Sequence, residues 1–443
     1  MKILIIGGGT AGSEVAWRLR RLNKEVEIVI LEKGKHTQYS PCALPYLISG
    51  KIKNIDDIIL FDQNFYNYNK IDLQLGADVK DIDSGKQLVK YIKNSKAKTI
   101  NYDYLVLANG LSFNPLLIPG LEDCHYFKLK SLEDAVAIKK AVKKNDKALI
   151  IGAGYIGVEL AEALSCLGLK VTIAEGKNHL LPAVFDKKMA EKISEEIEKK
   201  RVKIIIEAKI EKILKKEAQI NGKKIKYDHL FVCCGLSADK SMALKAGVKC
   251  DKGIITDDFG KTSDKKIFAA GDLAESINLI DGKKTLSQLA TTAVRQANVL
   301  AQNILGGNKK NEMVLNTSIS KFGDLIFGAS GVSQKYCQDN GIAAESAFYE
   351  GKTKAEYYPD AKKILTKIIA LPNGEIIGCQ IAGYKDIAGR LNMAALAIKQ
   401  KLTLEELIAS ETCYNPAIAP IFDPLLLAAE ICLKKIKAKH ESS

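Results

Sequence analysis

Lys2-Ile3-Leu4-Ile5-Ile6-Gly7-Gly8-Gly9-Thr10-Ala11-Gly12 opens the chain, and its pattern returns as Ala148-Leu149-Ile150-Ile151-Gly152-Ala153-Gly154-Tyr155-Ile156-Gly157. Each stretch carries an unbroken apolar run, Ile3–Ile6 and Ala148–Ile151, the pattern of a strand buried on both faces of a parallel sheet. Each run ends in glycines spaced G-x-G-x-x-G. A helix pattern follows, over about Ser13–Leu22 in the first copy and to about Leu167 in the second. A further strand then ends in an acid: Glu27–Leu31 leads to Glu32, and Lys170–Ala174 leads to Glu175.

This is a β-α-β unit written twice, and its chemistry follows from backbone geometry. Gly7 and Gly152 supply a tight turn. Gly9 and Gly154 let the backbone approach a pyrophosphate, and Gly12 and Gly157 let helix pack on strand. Free N–H groups and the helix dipole favour negative charge at the helix start. The acid accepts hydrogen bonds from an adenosine ribose. One such loop is weak information. Two loops, each with strand, helix and acid in place, point to two dinucleotide sites.

Working outward, Tyr104–Leu107 with Ala108-Asn109-Gly110 reads as a strand returning to the first nucleotide-binding sheet. Leu230-Phe231-Val232 with Cys233-Cys234-Gly235 reads the same way for the second. Lys266–Asp272 and a long helix over about Thr291–Leu305 follow, and Gly306–Lys310 reads as a linker. Beyond it, strands at 364–370 and 376–381 alternate with helices at 386–398, 404–410 and 425–438, an α+β pattern. The expected fold class is α/β, with two Rossmann-like dinucleotide-binding domains and a C-terminal α+β domain. The expected boundaries are 1–112 and 246–310 for the first nucleotide domain, in two parts, 113–245 for the second, and 311–443 for the last.

Composition narrows the function class. The chain has 443 residues, 47% of them hydrophobic, and a formal charge of +14. Its lysines are spread along the whole length without aromatic-basic interleaving, so no nucleic-acid partner is expected. The charge instead suits attraction of anionic cofactors and substrates. No run approaches the roughly 18 apolar residues of a spanning helix, and the N-terminus reads as a strand rather than a signal peptide. A cytoplasmic protein with no membrane partner is expected. Ten cysteines form no C-x-x-C pair and no His/Cys cluster with metal-ligand spacing, so neither a disulfide framework nor a metal is expected. Most of them, Cys166 and Cys233 included, read as small buried hydrophobes.

Further motifs complete a series: Ser40-Pro41-Cys42-Ala43-Leu44-Pro45-Tyr46, Ile267-Phe268-Ala269-Ala270-Gly271-Asp272, Leu289-Ala290-Thr291-Thr292, Tyr357-Tyr358-Pro359 and Cys413-Tyr414-Asn415-Pro416. In this order, with the two glycine loops, the chain resembles the FAD/NAD-linked disulfide reductases along essentially its whole length. It is most similar to the branch with a single redox cysteine: coenzyme A-disulfide reductase, NADH oxidase and NADH peroxidase.

The resemblance implies that Gly7, Gly9, Thr10, Ala11 and Gly12, with Glu32 and Lys33, hold the FAD pyrophosphate and ribose. Val79, Asn109, Gly110, Ala290 and Thr291 complete that site, and Asp272 bonds the ribityl chain. It implies that Gly152, Gly154, Ile156, Gly157, Glu175 and Gly235 hold NADH. Tyr155 would cover the flavin until nicotinamide displaces it, and Glu159 would contact the carboxamide. A carboxylate at Glu175 accepts from a 2′-hydroxyl and repels a 2′-phosphate, so NADH is expected over NADPH. Tyr357 and Tyr414 match tyrosines that reach the active site from the other subunit, which implies a homodimer and makes the C-terminal domain its dimerisation domain.

Cys42 lies at the start of a helix pattern, where a thiol pKa is lowered and the thiolate is favoured. No second cysteine lies near it in sequence. Its oxidised form is then a mixed disulfide or a sulfenic acid. The peroxide-reacting branches carry a histidine in the first loop, where this chain has Thr10, which argues against peroxide chemistry. Ser40, Pro41 and the C-A-L-P-Y string are similar to coenzyme A-disulfide reductases. So are Arg18 and Arg21, one helical turn apart, which either grip CoA phosphates or form a solvated helix face. The expected activity is NADH-dependent reduction of CoA disulfide, CoA persulfide or polysulfide. An NADH oxidase, a reductase of a small redox protein and a redox-sensing flavoprotein subunit remain as alternatives.

Overall fold

The computed structural model describes residues 1–113 and 117–441. Residues 114–116, inside the expected 113–245 domain, and residues 442–443 lie outside the described residues. The chain packs as two units. The first gathers Met1–Leu47, Ile52–Pro115 and Gly235–Val314, and the second gathers Ile48–Lys51, Leu116–Cys234 and Leu315–Ser443.

The first unit is built on a five-stranded parallel sheet. Its spatial order is Ile267–Ala269, Tyr104–Leu107, Lys2–Ile6, Glu27–Glu32, Asp72–Leu75. Alternation along a strand sends neighbouring side chains to opposite faces. Ile3, Ile5, Ile28, Ile30 and Val106 therefore pack under the helices Thr10–Leu22 and Ala290–Ile304. Leu4, Ile6, Val29, Leu31 and Leu105 pack on the other side with Val79, Ile82 and Val89 of a three-stranded antiparallel meander. Burial on both faces is why these strands read as continuous apolar runs.

The second unit carries the repeat of that design. Its parallel sheet runs Lys203–Ile205, Lys170–Ala174, Lys147–Ile151, His229–Val232, again with a three-stranded meander over residues 210–226. It also holds an antiparallel sheet ordered Ser318–Phe322, Leu325–Gly331, Ile376–Gly383, Lys363–Ala370, Glu345–Lys352. The helices Ile387–Lys399 and Pro424–Glu441 pack against that sheet.

A buried ion pair stitches the two parts of this unit together. Asp186 accepts from Lys367 Nζ at 2.7 Å, from Gln380 Nε2 at 2.9 Å, and from the backbone of Gln334 and Lys335. The α/β class is thus as expected. No helix among the described residues is long and apolar enough to cross a membrane.

One local expectation needs correction. Only three of the ten cysteines, Cys337, Cys379 and Cys432, are buried where most were expected to be; Cys233 is intermediate, and Cys166 is exposed. It closes the last turn of the helix Tyr155–Cys166, just beyond the buried run Leu160–Leu164. The stretch expected as a linker, 306–310, has no regular structure, and it is fastened to the preceding helix: Asn303 Nδ2 donates to Lys309 O, and Lys309 N donates back to Asn303 Oδ1, each at 2.8 Å.

Candidate active site

The two glycine loops have nearly the same geometry. Gly7 and Gly152 adopt φ of 102° and 100°, in the region open to glycine. A Cβ on Gly12 would stand 1.9 Å from Gly7 O, and one on Gly157 would stand 2.1 Å from Gly152 O, so only glycine lets helix meet loop. At Gly9 and Gly154, the N-caps of the two helices, a Cβ would meet nothing within 4 Å. That open space at a helix start is where a pyrophosphate fits. Both acids hold their loops directly. Glu32 accepts from Gly8 N at 2.6 Å and Gly34 N at 2.5 Å, and Glu175 accepts from Ala153 N at 2.8 Å and Lys177 N at 2.9 Å.

Around the first loop, the structure brings several expected residues together. Ala11 lies against Gly271, where an added Cβ would stand 2.8 Å from the Ala11 Cβ. Asp272 follows directly, and burial pushes its carboxyl above the usual range, with no hydrogen-bonded partner among the described residues offsetting it. Asn109 donates to Asp239 O at 3.1 Å, yet its buried Oδ1 has no partner among the described residues. A carboxylate and an amide oxygen awaiting donors fit a polyhydroxylated cofactor such as FAD. Gly110 has φ of 71°, and Gly235, expected at the second loop, has φ of 93°. Val79 is a buried core residue of the meander, and Lys33 pairs at 3.5 Å with Asp78 beside it. Ala290 and Thr291, both exposed, begin a fifteen-residue helix with no side-chain cap, and Thr10 begins the first loop's helix.

Cys42 is exposed at the centre of a 3-10 turn, Pro41–Ala43, that runs into the helix Leu44–Ser49. Ser40 precedes the turn and is anchored by its N–H to Ile58 O at 2.9 Å. The thiol therefore stands at a helix start, the position that favours a thiolate. Arg18 and Arg21 differ from each other. Arg18 is engaged by Glu14 at 3.2 Å and Asn298 at 3.1 Å, whereas Arg21 is exposed with its guanidinium over the Trp17 ring.

The second loop's helix presents Tyr155 and Glu159 one turn apart, with Ile156 half-buried between. The Tyr155 hydroxyl lies 2.9 Å from Ser318 Oγ, and its ring lies parallel to Phe327. Burial pushes its pKa up to about 12. Ser320 Oγ donates to Glu159 Oε1 at 2.6 Å. Burial raises the Glu159 carboxyl, the Ser320 bond opposes that rise, and the Glu162 charge adds to it. Glu162 is itself paired with Lys51 at 2.6 Å. Tyr357 and Tyr414 lie side by side, and the neighbouring Tyr414 hydroxyl, which favours the neutral phenol, is the largest cause of a raised Tyr357 pKa. They are 77% and 51% exposed. Buried Lys354 draws the two segments together, with Nζ 3.1 Å from Ala417 O and over the Tyr358 ring.

Ser318, Ser320, Lys354 and Lys51 were not anticipated from sequence, because they lie in no motif and only tertiary packing brings them to the site. Arg20, by contrast, carries a signal in the sequence. It stands on the apolar stripe of Val15, Ala16 and Leu19, and it is buried, with its guanidinium donating to the backbone carbonyls of Asn69, Val26 and Lys70 at 2.8–2.9 Å.

Comparison with known proteins gives consistent matches. Residues 1–297 match the family described as pyridine nucleotide-disulphide oxidoreductase, and residues 317–425 match the dimerisation domain of that family. The chain is 38% identical to the NADH oxidase of Methanocaldococcus jannaschii, covering 99% of this chain and 100% of that one. It is 29% identical to the NAD(P)H coenzyme A polysulfide/persulfide reductase of Pyrococcus horikoshii, over 97% and 98% of the two chains. The structure of an NAD-dependent persulfide reductase from A. fulgidus superposes with a TM-score of 0.94 at 30% identity, over 99% of this chain and 84% of that one.

Proposed function

The chain belongs to the pyridine nucleotide-disulphide oxidoreductases, an FAD-dependent family that uses NAD(P)H, and from that premise we propose that it reduces a low-molecular-weight disulfide at Cys42 with electrons from NADH. Bound FAD supplies the chemistry of accepting a hydride and delivering an electron pair to sulfur. The first loop, with Glu32, Asn109 and Asp272, holds that group, and the second loop, with Glu175, holds NADH. The Cys42 thiolate attacks one sulfur of the disulfide, releasing one thiolate and leaving a mixed disulfide on Cys42. Two electrons cleave that bond, return the Cys42 thiolate and release the second thiolate.

The observation that carries this reading is the exposed Cys42 at a helix start, in the same unit as the first glycine loop and the unpartnered Asp272. The relatives' names support CoA disulfide, CoA persulfide or polysulfide as the oxidant. Arg21 is the exposed cation that suits CoA phosphates, since Arg18 is engaged within its own unit. Changing Cys42→Ser is expected to abolish disulfide- and polysulfide-dependent NADH turnover while NADH-to-dye transfer persists. Unchanged disulfide turnover in that variant overturns the reading.

The M. jannaschii relative favours a second reading, oxygen reduction under NADH. Oxygen uptake that matches NADH consumption, and exceeds turnover with any disulfide, would select it. We also propose a homodimer through the C-terminal sheet and its helices. The match to a dimerisation domain supports it, as do exposed Ile418, Ile421 and Phe422 beside Tyr414. In that assembly Tyr357 and Tyr414 serve the substrate site of the other subunit.

A further inference from the structure

The strand Ser318–Phe322 offers two hydroxyls to one helix. Ser318 and Ser320 are two residues apart on the strand, so they share a face. Tyr155 and Glu159 are four apart on the helix Tyr155–Cys166, so they share a face too. The two spacings meet: Ser318 takes the tyrosine hydroxyl at 2.9 Å and Ser320 takes the carboxylate at 2.6 Å. We propose that Ser318 and Ser320 are positioning residues for the nicotinamide, fixing the Tyr155 ring and holding Glu159 as an oriented carboxylate. This rests on the reading of the second loop as the NADH site.

The two oxygens of Glu159 are placed differently. Ser320 donates to Oε1, and no described hydrogen bond uses Oε2. One oxygen is thereby satisfied, and the other is left to accept from an amide N–H such as the nicotinamide carboxamide. Burial works against the charged form, and the serine bond works for it. A hydroxyl bond to a carboxylate is charge-assisted and short, as this one is.

The charges facing Glu159 are few. On its own helix, Glu162 raises it and is paired with Lys51, while Tyr155 stays neutral, its pKa pushed up to about 12. On the strand, Lys321 alternates to the opposite face from Ser320. The neighbouring strands carry no ionisable residue over 148–151 or 171–174. Ser320 is thus the one described group that directly stabilises the Glu159 anion.

The signs follow. Glu159 accepts from the carboxamide best when ionised, so NADH affinity falls as pH drops through its pKa. Removing the Ser320 donor raises that pKa, and the acid limb moves to higher pH.

The test is anaerobic stopped-flow reduction of the purified holoenzyme's FAD by NADH, run across pH. Ser320→Ala is expected to move the acid limb upward and to weaken NADH binding by roughly tenfold near neutral pH, with FAD content unchanged. Ser320→Thr, which keeps the hydroxyl, is expected to restore both. Ser318→Ala is expected to lower the limiting reduction rate without moving the limb, because it frees the Tyr155 ring and leaves the Glu159 bond intact. A Ser320→Ala profile superimposable on the parent overturns the inference, provided Glu159→Gln does weaken NADH binding. If Glu159→Gln also leaves NADH binding unchanged, the reading of the second loop as the NADH site is overturned with it.

Discussion

The first and second glycine loops have closely similar backbones, yet the helices behind them are held differently. Behind the first loop, polar side chains bond mainly to fixed backbone. Ser13 Oγ donates to Gly8 O, and Arg20 donates to a ring of carbonyls. Behind the second, Tyr155, Glu159 and Glu162 bond to side chains: Ser318, Ser320 and Lys51. Backbone partners make a rigid cradle, suited to a cofactor that stays. Side-chain partners can change rotamer, which suits a coenzyme that must enter and leave on every turnover.

The crowding around the loops differs in the same sense. A Cβ on Gly7 would stand 2.4 Å from Ala108 O, whereas one on Gly152 would stand 3.2 Å from Cys233 C and from Cys234 Cβ. Both positions carry positive φ, so both alanine variants bear backbone strain of about 1–3 kcal/mol. Only Gly7→Ala also collides with backbone, adding roughly another 1–3 kcal/mol and pushing the returning strand away. Gly7→Ala is therefore expected to yield protein without FAD and a lowered urea midpoint. Gly152→Ala is expected to keep its FAD and lose NADH affinity. Equal FAD loss in both variants would erase the distinction between a rigid and an adjustable loop.

A second contrast concerns how each unit buries charge. The first buries Arg20 among carbonyls, and the second buries the Asp186–Lys367 pair. Burial pushes the Asp186 carboxyl up, but Lys367 and the N–H groups of Gln334 and Lys335 outweigh it and hold the carboxyl below the usual carboxylate range. A group with a depressed folded pKa contributes stability above its unfolded pKa and loses it as pH falls through the folded one. Lys367→Met leaves Asp186 buried without its cation, at a cost of about 3–5 kcal/mol near neutral pH. Its acid-unfolding midpoint is expected to move to higher pH. Urea titrations across pH read both effects, and an unshifted acid midpoint would show that the backbone donors alone hold the aspartate.

How much of this was legible depended on whether the determinant was local. Gly7, Gly12, Gly152 and Gly157 could be read because turn, helix start and close approach are fixed within a dozen residues. The strands at 364–370 and 376–381 could be read from their apolar runs. Ser320 carried no signal, since a serine on a strand is unremarkable until the strand is laid against Glu159. Arg20 carries a signal in its place on the apolar stripe, which sets it apart from its neighbours Arg18 and Arg21. The expectation that Cys166 is buried rests only on its place in a helix. Its last turn emerges into solvent, and a helix-end position is settled by packing rather than composition. The return of 235–314 to the first unit follows from Ile267–Ala269 pairing with Tyr104–Leu107, a contact between residues far apart in sequence.

The smallest expected effect tests what the two acids share. Glu32 and Glu175 each accept two backbone N–H bonds, so each shapes its loop. At the second loop the charge has an added consequence, because a 2′-phosphate placed there would face a carboxylate. Glu175→Gln separates shape from charge: the amide keeps one acceptor oxygen and removes the negative charge. The NADH-to-NADPH ratio of kcat/KM is expected to fall roughly tenfold, equivalent to about 1.4 kcal/mol of relieved repulsion, with Lys177 free to attract the phosphate. KM for NADH is expected to change by only about twofold, since the ribose still meets an acceptor. Glu32→Gln is expected to leave that ratio unchanged and to act on FAD retention instead. If both variants alter coenzyme preference equally, the division of the two loops between FAD and NADH fails. If neither does, discrimination lies in the loop beyond Glu175 rather than in its charge.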